Sequence, residues 1–227
     1  GTTALTGLVL TDNLGAYTFN EASLFPLQYV ANSLKYYVNG VLQTSPVIAS
    51  QEPLQIEGIS IPAQGNAVVI YQAALTQFAP SATNSTITNQ AVISGTGISS
   101  ITVEETISAL AEPILNITKS ISPVPVTENG ALTYTFVIEN RGNVPADPVD
   151  LIVITDQFNP ILSDLTVTFN GTAWAEGTQY TYDQTTGLFT TKAGEITVPA
   201  ATFTQNADTG AWSVIPGTST LVITGTV

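Results

Sequence analysis

The chain has 227 residues, and its 4 basic and 17 acidic side chains give a formal net charge of −13. This balance argues against nucleic acid or an anionic membrane as a partner, because both are bound through clustered cations. Cys and His are absent, which excludes disulfides, thiol nucleophiles and histidine-based triads. We therefore expect no enzyme activity, no cofactor and no metal site. Since 44% of the residues are hydrophobic, the chain can still bury a core, but no apolar run is long enough for membrane insertion.

In chain order, the first predicted strand covers residues 7–14. The only modest helix candidate, residues 21–32, contains Pro26 and is better interpreted as a loop or a single turn. A further strand ends at Asn39-Gly40, a dipeptide typical of tight hairpins. One more strand is predicted in this half, at residues 87–92, and the segment 61–70 is one that recurs later in the chain.

The second half shows the clearest strand periodicity. Apolar and hydroxylated residues alternate along 132–138 (LTYTFVI) and 165–169 (LTVTF). Alternation with a period of two indicates antiparallel strands with one buried face. A second Asn-Gly turn follows at 170–171. The fold class predicted from the whole chain is all-β, with antiparallel β-sandwich architecture.

Two internal similarities predict a repeat. Residues 7–14 (GLVLTDNL) are similar to residues 151–158 (LIVITDQF). Residues 61–70 (IPAQGNAVVI) are similar to residues 214–223 (VIPGTSTLVI). Each copy also has a strand that ends in Asn-Gly between these two segments, so the chain is predicted to contain two copies of one module.

The predicted modules are residues 1–112 and 113–227. The first lacks the opening strands that the second has over 114–140, and the second lacks a closing strand like 87–92. Either the chain continues into a longer tandem array, or neighbouring molecules supply the missing strands. In both cases we expect the two terminal segments, residues 1–10 and residues 220–227, to pair with polypeptide outside their own module.

A set of motifs resembles a known family. The motifs are residues 87–92 (ITNQAV), 114–123 (ILNITKSISP), 126–143 (VTENGALTYTFVIENRGN) and 153–156 (VITD). Together they resemble the conserved repeat of large prokaryotic surface proteins, the domain of unknown function numbered 11. The resemblance covers nearly all of 114–227 and most of 1–110. Arg141 and a long insert at 173–200 depart from the family pattern.

The resemblance implies tandem Ig-like modules in an extracellular cell-surface protein of the cell wall, surface layer or a filament, without enzyme activity. In related surface modules, a first-strand Lys and a last-strand Asn form an isopeptide bond with help from a carboxyl group. By position, the candidates are Lys119 for the amine, Asn89 for the amide, and Asp12 or Asp156 for the acid. The alternative is that Lys119 lies along the sandwich edge with its charge in water and that Asn89 pairs with backbone.

The aromatic residues around the predicted insert provide a second hypothesis. Trp174, Trp212, Tyr180 and Tyr182 can form a stripe that stacks on a surface glycan, or they can pack across strands of a long hairpin. Two functions are therefore considered: a structural segment of a fibre, stalk or surface layer, and an adhesin-type module that binds glycan or protein through 173–200. The expected partners are further copies of the chain or adjacent modules.

Overall fold

The computed structural model describes all residues, Gly1–Val227. Strands account for 53% of the chain. There is no α-helix, and a single 3₁₀ turn covers Pro148–Asp150. The sheets are antiparallel, which confirms the all-β prediction at this level. None of the elements is a helix that could cross a membrane.

The chain divides into two compact units. Unit 1 consists of Gly1–Ala109 and Thr204–Ser213, and unit 2 consists of Leu110–Phe203 and Val214–Val227. The first division lies three residues before the predicted join at 112–113. The assignment of 204–213 to unit 1 was not predicted, because nothing in the local sequence tells which unit a hairpin contacts.

Unit 1 contains a wide sheet and a narrow sheet. Its strands are β1 (Leu5–Asp12), β2 (Tyr17–Phe19), β3 (Ala22–Leu24), β4 (Leu27–Tyr29), β5 (Lys35–Val38), β6 (Val41–Gln43), β7 (Val47–Gln51), β8 (Leu54–Ile61), β9 (Ala67–Ile70), β10 (Ala73–Leu75), β11 (Thr86–Ser94) and β12 (Ile101–Ser108). The wide sheet has the order β12-β11-β1-β8-β7, and the narrow sheet has the order β6-β5-β9. Two-stranded ribbons β2-β3 and β4-β10 complete the unit.

Unit 2 also pairs a wide sheet with a narrow one. Its strands are β13 (Leu115–Ser122), β14 (Ala131–Asn140), β15 (Thr155–Gln157), β16 (Ser163–Phe169), β17 (Thr172–Trp174), β18 (Tyr180–Asp183), β19 (Leu188–Thr191) and β22 (Gly217–Thr226). The wide sheet has the order β13-β14-β22-β16-β17, and the narrow sheet is β15-β19-β18. A separate ribbon is formed by β20 (Thr202–Gln205) and β21 (Trp212–Ile215).

Each unit has its own apolar core, to which both of its sheets contribute. In unit 2, alternate residues of β14 are buried, as the period-two pattern predicts. They share one core with Phe158, from the loop after β15, and with Phe189 of β19. In unit 1, Leu8 and Ile56 of the wide sheet share a core with Tyr36 of the narrow sheet. One hydrophobic cluster per unit is consistent with two domains.

The pairing of strands repeats between the two units. The pair β1-β8 corresponds to β15-β19, and the pair β5-β9 corresponds to β16-β22. The two Asn-Gly turns are also alike, since Asn39 and Asn170 both have φ of 49° and the following glycines both have φ of 79°. Positive φ at both central residues gives the turn that matches the twist of a hairpin. The two units are therefore alike in these strand pairings and in these turns.

Three expectations about local structure are wrong. The segment 21–32 contains the short strands β3 and β4 rather than only a loop. The segments 1–10 and 220–227 do not form the free edges. Their strands β1 and β22 are paired on both sides within their own units, β1 with β8 and β11, and β22 with β14 and β16. A period-two pattern indicates a strand but does not distinguish a central strand from an edge strand.

Phe158 provides a test of the unit 2 core. Its ring is 1% exposed and lies 4.5 Å from the Tyr134 ring and 5.7 Å from the Phe189 ring, centroid to centroid. Phe158→Ala should lower the free energy of unfolding of unit 2 by about 3–5 kcal/mol, because the cavity cannot close fully. The measurement is urea denaturation followed by Trp174 fluorescence in a Trp212→Phe background. Val149→Ala, at a site 84% exposed, is the control and should change the value by less than about 0.5 kcal/mol.

Candidate functional site

Each narrow sheet ends in a strand with an unpaired edge. In unit 2, β15 pairs only with β19, whereas its counterpart β1 in unit 1 is also paired with β11. In unit 1, β9 pairs only with β5, whereas its counterpart β22 in unit 2 is also paired with β14. The two units are therefore short of strands at different places. A free strand edge presents backbone donors and acceptors to any strand that approaches it.

Lys119 and Asp156 meet beside the free edge of β15. The Lys119 ammonium group forms an ion pair with the Asp156 carboxylate. The same nitrogen lies 4.6 Å from the centre of the Tyr134 ring and 5.9 Å from that of Phe158. Burial, followed by the Asp156 charge, raises the pKa of Tyr134. The lysine is held between a carboxylate and aromatic faces, and its side chain is still 39% exposed.

Unit 1 holds an acid and an amide at the corresponding place. Asp12 is 2% exposed, and its Oδ2 accepts a hydrogen bond from Asn89 Nδ2 at 3.0 Å. The Tyr71 hydroxyl donates to the same oxygen, and the Leu14 N–H donates to Oδ1 at 2.7 Å. Asn89 Oδ1 accepts from the Gly15 N–H at 3.0 Å. The amide is thus fixed in orientation against a buried carboxylate.

The four isopeptide candidates are arranged as two half-sites. Lys119 and Asp156 lie together in unit 2, and Asn89 and Asp12 lie together in unit 1. Asp12 is the last residue of β1 and Asp156 is the middle residue of β15, at matching positions of the similar segments 7–14 and 151–158. One half-site has the amine without an amide, and the other has the amide without an amine. Tyr71 was not predicted as a member of the site. It directly follows the repeated segment 61–70, and this adjacency was the available signal.

Two cavities flank the Lys119–Asp156 pair. One, of about 360 Å³, is lined by Lys119, Tyr134 and Asn159 among others. The other, of about 150 Å³, is lined by Leu115, Ile117 and by residues 152–154. Both lie between β13 and the segment 152–159, which includes β15. The inner face of β13 is therefore open on either side of the ion pair.

The aromatic stripe predicted around the insert does not exist. Tyr180 and Tyr182 are 4% and 8% exposed and belong to the unit 2 core. Trp174 packs against Phe169, with 5.0 Å between ring centroids, and Trp212 belongs to unit 1. Alternation along β18 buries the tyrosines, so the interpretation as cross-strand packing is the correct one. The adhesin hypothesis therefore loses the residues on which it was based.

The insert itself lies later in the chain than predicted. Residues 173–200 contain β18 and β19, which correspond to β7 and β8 of unit 1 and are part of the unit's body. The extra segment is the connection from β19 to β22, which carries the ribbon β20-β21. The tip of this ribbon is part of unit 1. Within that unit, the Trp212 N–H donates to the Gln77 carbonyl at 2.8 Å, and Asn20 Nδ2 donates to the Ala207 carbonyl at 2.8 Å.

Trp212 also lines a cavity of about 330 Å³ in unit 1, together with Tyr17 and Gln205. Gln205 Nε2 donates to the Tyr17 hydroxyl at 3.0 Å. The indole N–H of Trp212 is buried without a hydrogen-bond partner. Elsewhere, no group of three or more acidic side chains converges in a way that could hold a metal ion.

Comparison with known proteins gives no match: no family model, no curated protein and no solved structure is significantly similar to this chain. Its function must therefore be argued from the geometry of its own residues.

Tyr71 is the residue that tests the unit 1 half-site. Tyr71→Phe should lower the free energy of unfolding at neutral pH by about 1–3 kcal/mol, because buried Asp12 loses a donor. Burial first, and then the bond and charge of Asp12, raise the pKa of Tyr71 above its ordinary value of 10.0. Above pH 10 the unfolded chain loses this proton while the folded chain keeps it, so stability falls as pH rises.

The Tyr71→Phe variant should therefore lose stability less steeply than the parent between pH 10 and pH 11. The measurement is denaturation of a Trp174→Phe background, in which Trp212 reports on unit 1, at neutral and alkaline pH. Equal slopes in the two proteins would mean that Tyr71 is not held protonated by Asp12.

Proposed function

We propose that this protein is a structural segment of an extracellular fibre, stalk or surface layer, with two tandem Ig-like β-sandwich modules, and that its copies assemble head to tail. The observation that carries the proposal is the complementary deficit of the two units. Unit 1 has a free edge at β9, the counterpart of the paired strand β22, and unit 2 has a free edge at β15, the counterpart of the paired strand β1. Unit 2 has a strand, β14, on the edge that is free in unit 1, and unit 1 has a strand, β11, on the edge that is free in unit 2.

Complementary ends favour assembly into open chains. An interface between two different surfaces of the same molecule is head-to-tail, and it gives a filament when the rotation does not close into a ring. Addition of strands to a free edge is a general mode of recognition, in which backbone hydrogen bonds supply much of the affinity. The absence of Cys and Met, the residues most easily oxidised, also suits a protein outside the cell.

The two half-sites extend this proposal to a covalent link. In an isopeptide bond, Lys119 Nζ attacks the side-chain carbonyl carbon of Asn89, the new C–N bond replaces the bond to the amide nitrogen, and ammonia leaves with the transferred proton. A protonated Asp12 or Asp156 would polarise the carbonyl. Because the amine and the amide belong to different half-sites, such a bond would join β13 of unit 2 in one copy to β11 of unit 1 in another.

The first test is assembly itself. We expect the full chain to form oligomers of graded length as its concentration rises, measured by light scattering after size-exclusion chromatography and by electron microscopy. Val153→Lys, which places a charge beside the free edge of β15, should shift the onset to higher concentration. Val149→Lys carries the same change on the 3₁₀ turn and should assemble as the parent does. A parent that stays monomeric at every concentration would contradict the proposed function.

The second test is the mass of the assembled material. Monomer should have the mass of its sequence, whereas a linked pair should be lighter than two chains by one ammonia molecule. On a denaturing gel the linked species should form a ladder at multiples of the chain mass. The ladder should vanish in Lys119→Met and in Asn89→Ala but persist in Lys192→Met. Assemblies that dissociate completely into monomer on the gel would rule out the covalent bond. The proposal of a non-covalent fibre would be unaffected.

A further inference from the structure

The edge strand of the unit 1 wide sheet exposes an apolar stripe on its inner face. Along β12, Ile101, Val103 and Ile107 are 57%, 61% and 49% exposed. Their cross-strand partners on β11 include Ile87, which is buried in the unit 1 core, so this stripe points to the core side of the sheet. The narrow sheet β6-β5-β9 has only three strands and does not extend over β12, the outermost of the five strands of the wide sheet. The stripe is exposed for that reason. One charge interrupts it, Glu105, which lies opposite Asn89.

The edge strand of the unit 2 wide sheet has the same construction with the opposite charge. Along β13, Leu115, Ile117 and Ile121 are 38%, 48% and 45% exposed. The cross-strand partners of Ile117 and Ile121 are buried core residues of β14, so this stripe also points to the core side. The narrow sheet β15-β19-β18 reaches this stripe only at Lys119, which pairs with Asp156, and leaves a cavity on either side of that pair. Lys119 is the residue that interrupts the stripe.

We propose that the β12 stripe of one copy packs on the β13 stripe of a second copy, with Glu105 facing Lys119. This inference rests on the proposed function and specifies its interface. The apolar residues of each stripe would be withdrawn from water by the other, which is the main driving force for association. The charged pair at the centre fixes the register and excludes other pairings.

The second copy is the occupant that fits both stripes at once. Each stripe has four inward-facing residues, of which three are apolar. The third residue along each strand is charged, and the two charges have opposite sign. A chain with a net charge of −13 repels its own copies, so an interface between copies needs a local attraction of this kind. Lys119 is one of only four basic residues in the whole chain, and it lies on this face.

Reciprocal charge reversal tests the interface. In Glu105→Lys alone, the contact would bring two lysines together, and in Lys119→Glu alone it would bring two glutamates together. Each variant should associate about tenfold or more weakly than the parent, since like charges placed opposite each other are strongly unfavourable. When the two variants are mixed in equal amounts, every contact between unlike copies again joins Lys to Glu. The mixture should therefore assemble although neither component does.

Glu104→Lys is the matched control. It makes the same change one residue away on the same strand, but Glu104 lies on the outer face, where it accepts a hydrogen bond from Gln90. Glu104→Lys and Glu105→Lys reduce the net charge equally, so both relieve general repulsion between copies. Only Glu105→Lys should impair assembly. Light scattering of the full chain and of each variant is the measurement, with circular dichroism to establish that each variant is folded.

If Lys119→Glu does not fold, Glu105→Lys still decides the matter. This variant has an impaired β12 stripe and an intact β13 stripe, so it should add to one end of a growing assembly and stop it. Small amounts should shorten assemblies of the parent, and Glu104→Lys should not. A parent that assembles while Glu105→Lys assembles equally well would overturn this interface but not the proposed function. A parent that never assembles would overturn both.

Discussion

The width of opposing sheets is the constraint on which the rest of this structure depends. A sheet can bury its inner face only where another layer lies against it, and in each unit five strands face three. The covered strands carry the core, and the uncovered ones carry apolar side chains that remain in water. The Lys119–Asp156 pair, the two cavities beside it and the two exposed stripes all involve the edge strands β12, β13 and β15.

The same constraint explains two ways of accommodating an acid. Asp12, the last residue of β1, and Asp156, the middle residue of β15, occupy matching positions of the repeated segment and face the inside of their units. The strand of Asp12, β1, is also paired with β11. Asp12 is held by neutral donors, the Tyr71 hydroxyl and the Asn89 amide. Asp156 has no such strand and is held by a cation, Lys119. A buried carboxylate needs hydrogen-bond donors or an opposite charge. Unit 1 supplies neutral donors, and unit 2 supplies a lysine.

Much of the local structure could be predicted from the sequence because local chemistry decides it. The Asn-Gly turns require positive φ, and the alternation along 132–138 requires one buried face, so both were predictable. The similarity of 7–14 to 151–158 likewise identified equivalent strands. Which strand lies next to which could not be predicted, because pairing is decided by residues far apart in the chain. For that reason the terminal segments were predicted to pair outside their own module, and the sequence left open whether Tyr180 and Tyr182 are buried in cross-strand packing or exposed to a glycan.

The candidate site was predicted in its members but not in its arrangement. Lys119, Asn89 and the two aspartates were identified by position within the repeat, whereas the hydroxyl of Tyr71 and the rings around Lys119 were not. Aromatic residues in a strand with period two are expected in a core. Tyr134 also contacts Lys119 because the edge of β15 beside it is unpaired. The open edge depends on sheet width, which no local pattern encodes.

The ribbon β20-β21 has a consequence for how the chain can be divided. Residues 204–213 belong to unit 1, although the segments before and after them belong to unit 2. At the ribbon's tip, Gly210 has φ of 72°, and any side chain there would collide with Leu24 and Phe19. The backbone therefore passes from one unit to the other three times. A single protease cut after Ala109 would leave two fragments held together by the ribbon, and a gene truncated at that point would encode a unit 1 that lacks one of its own parts.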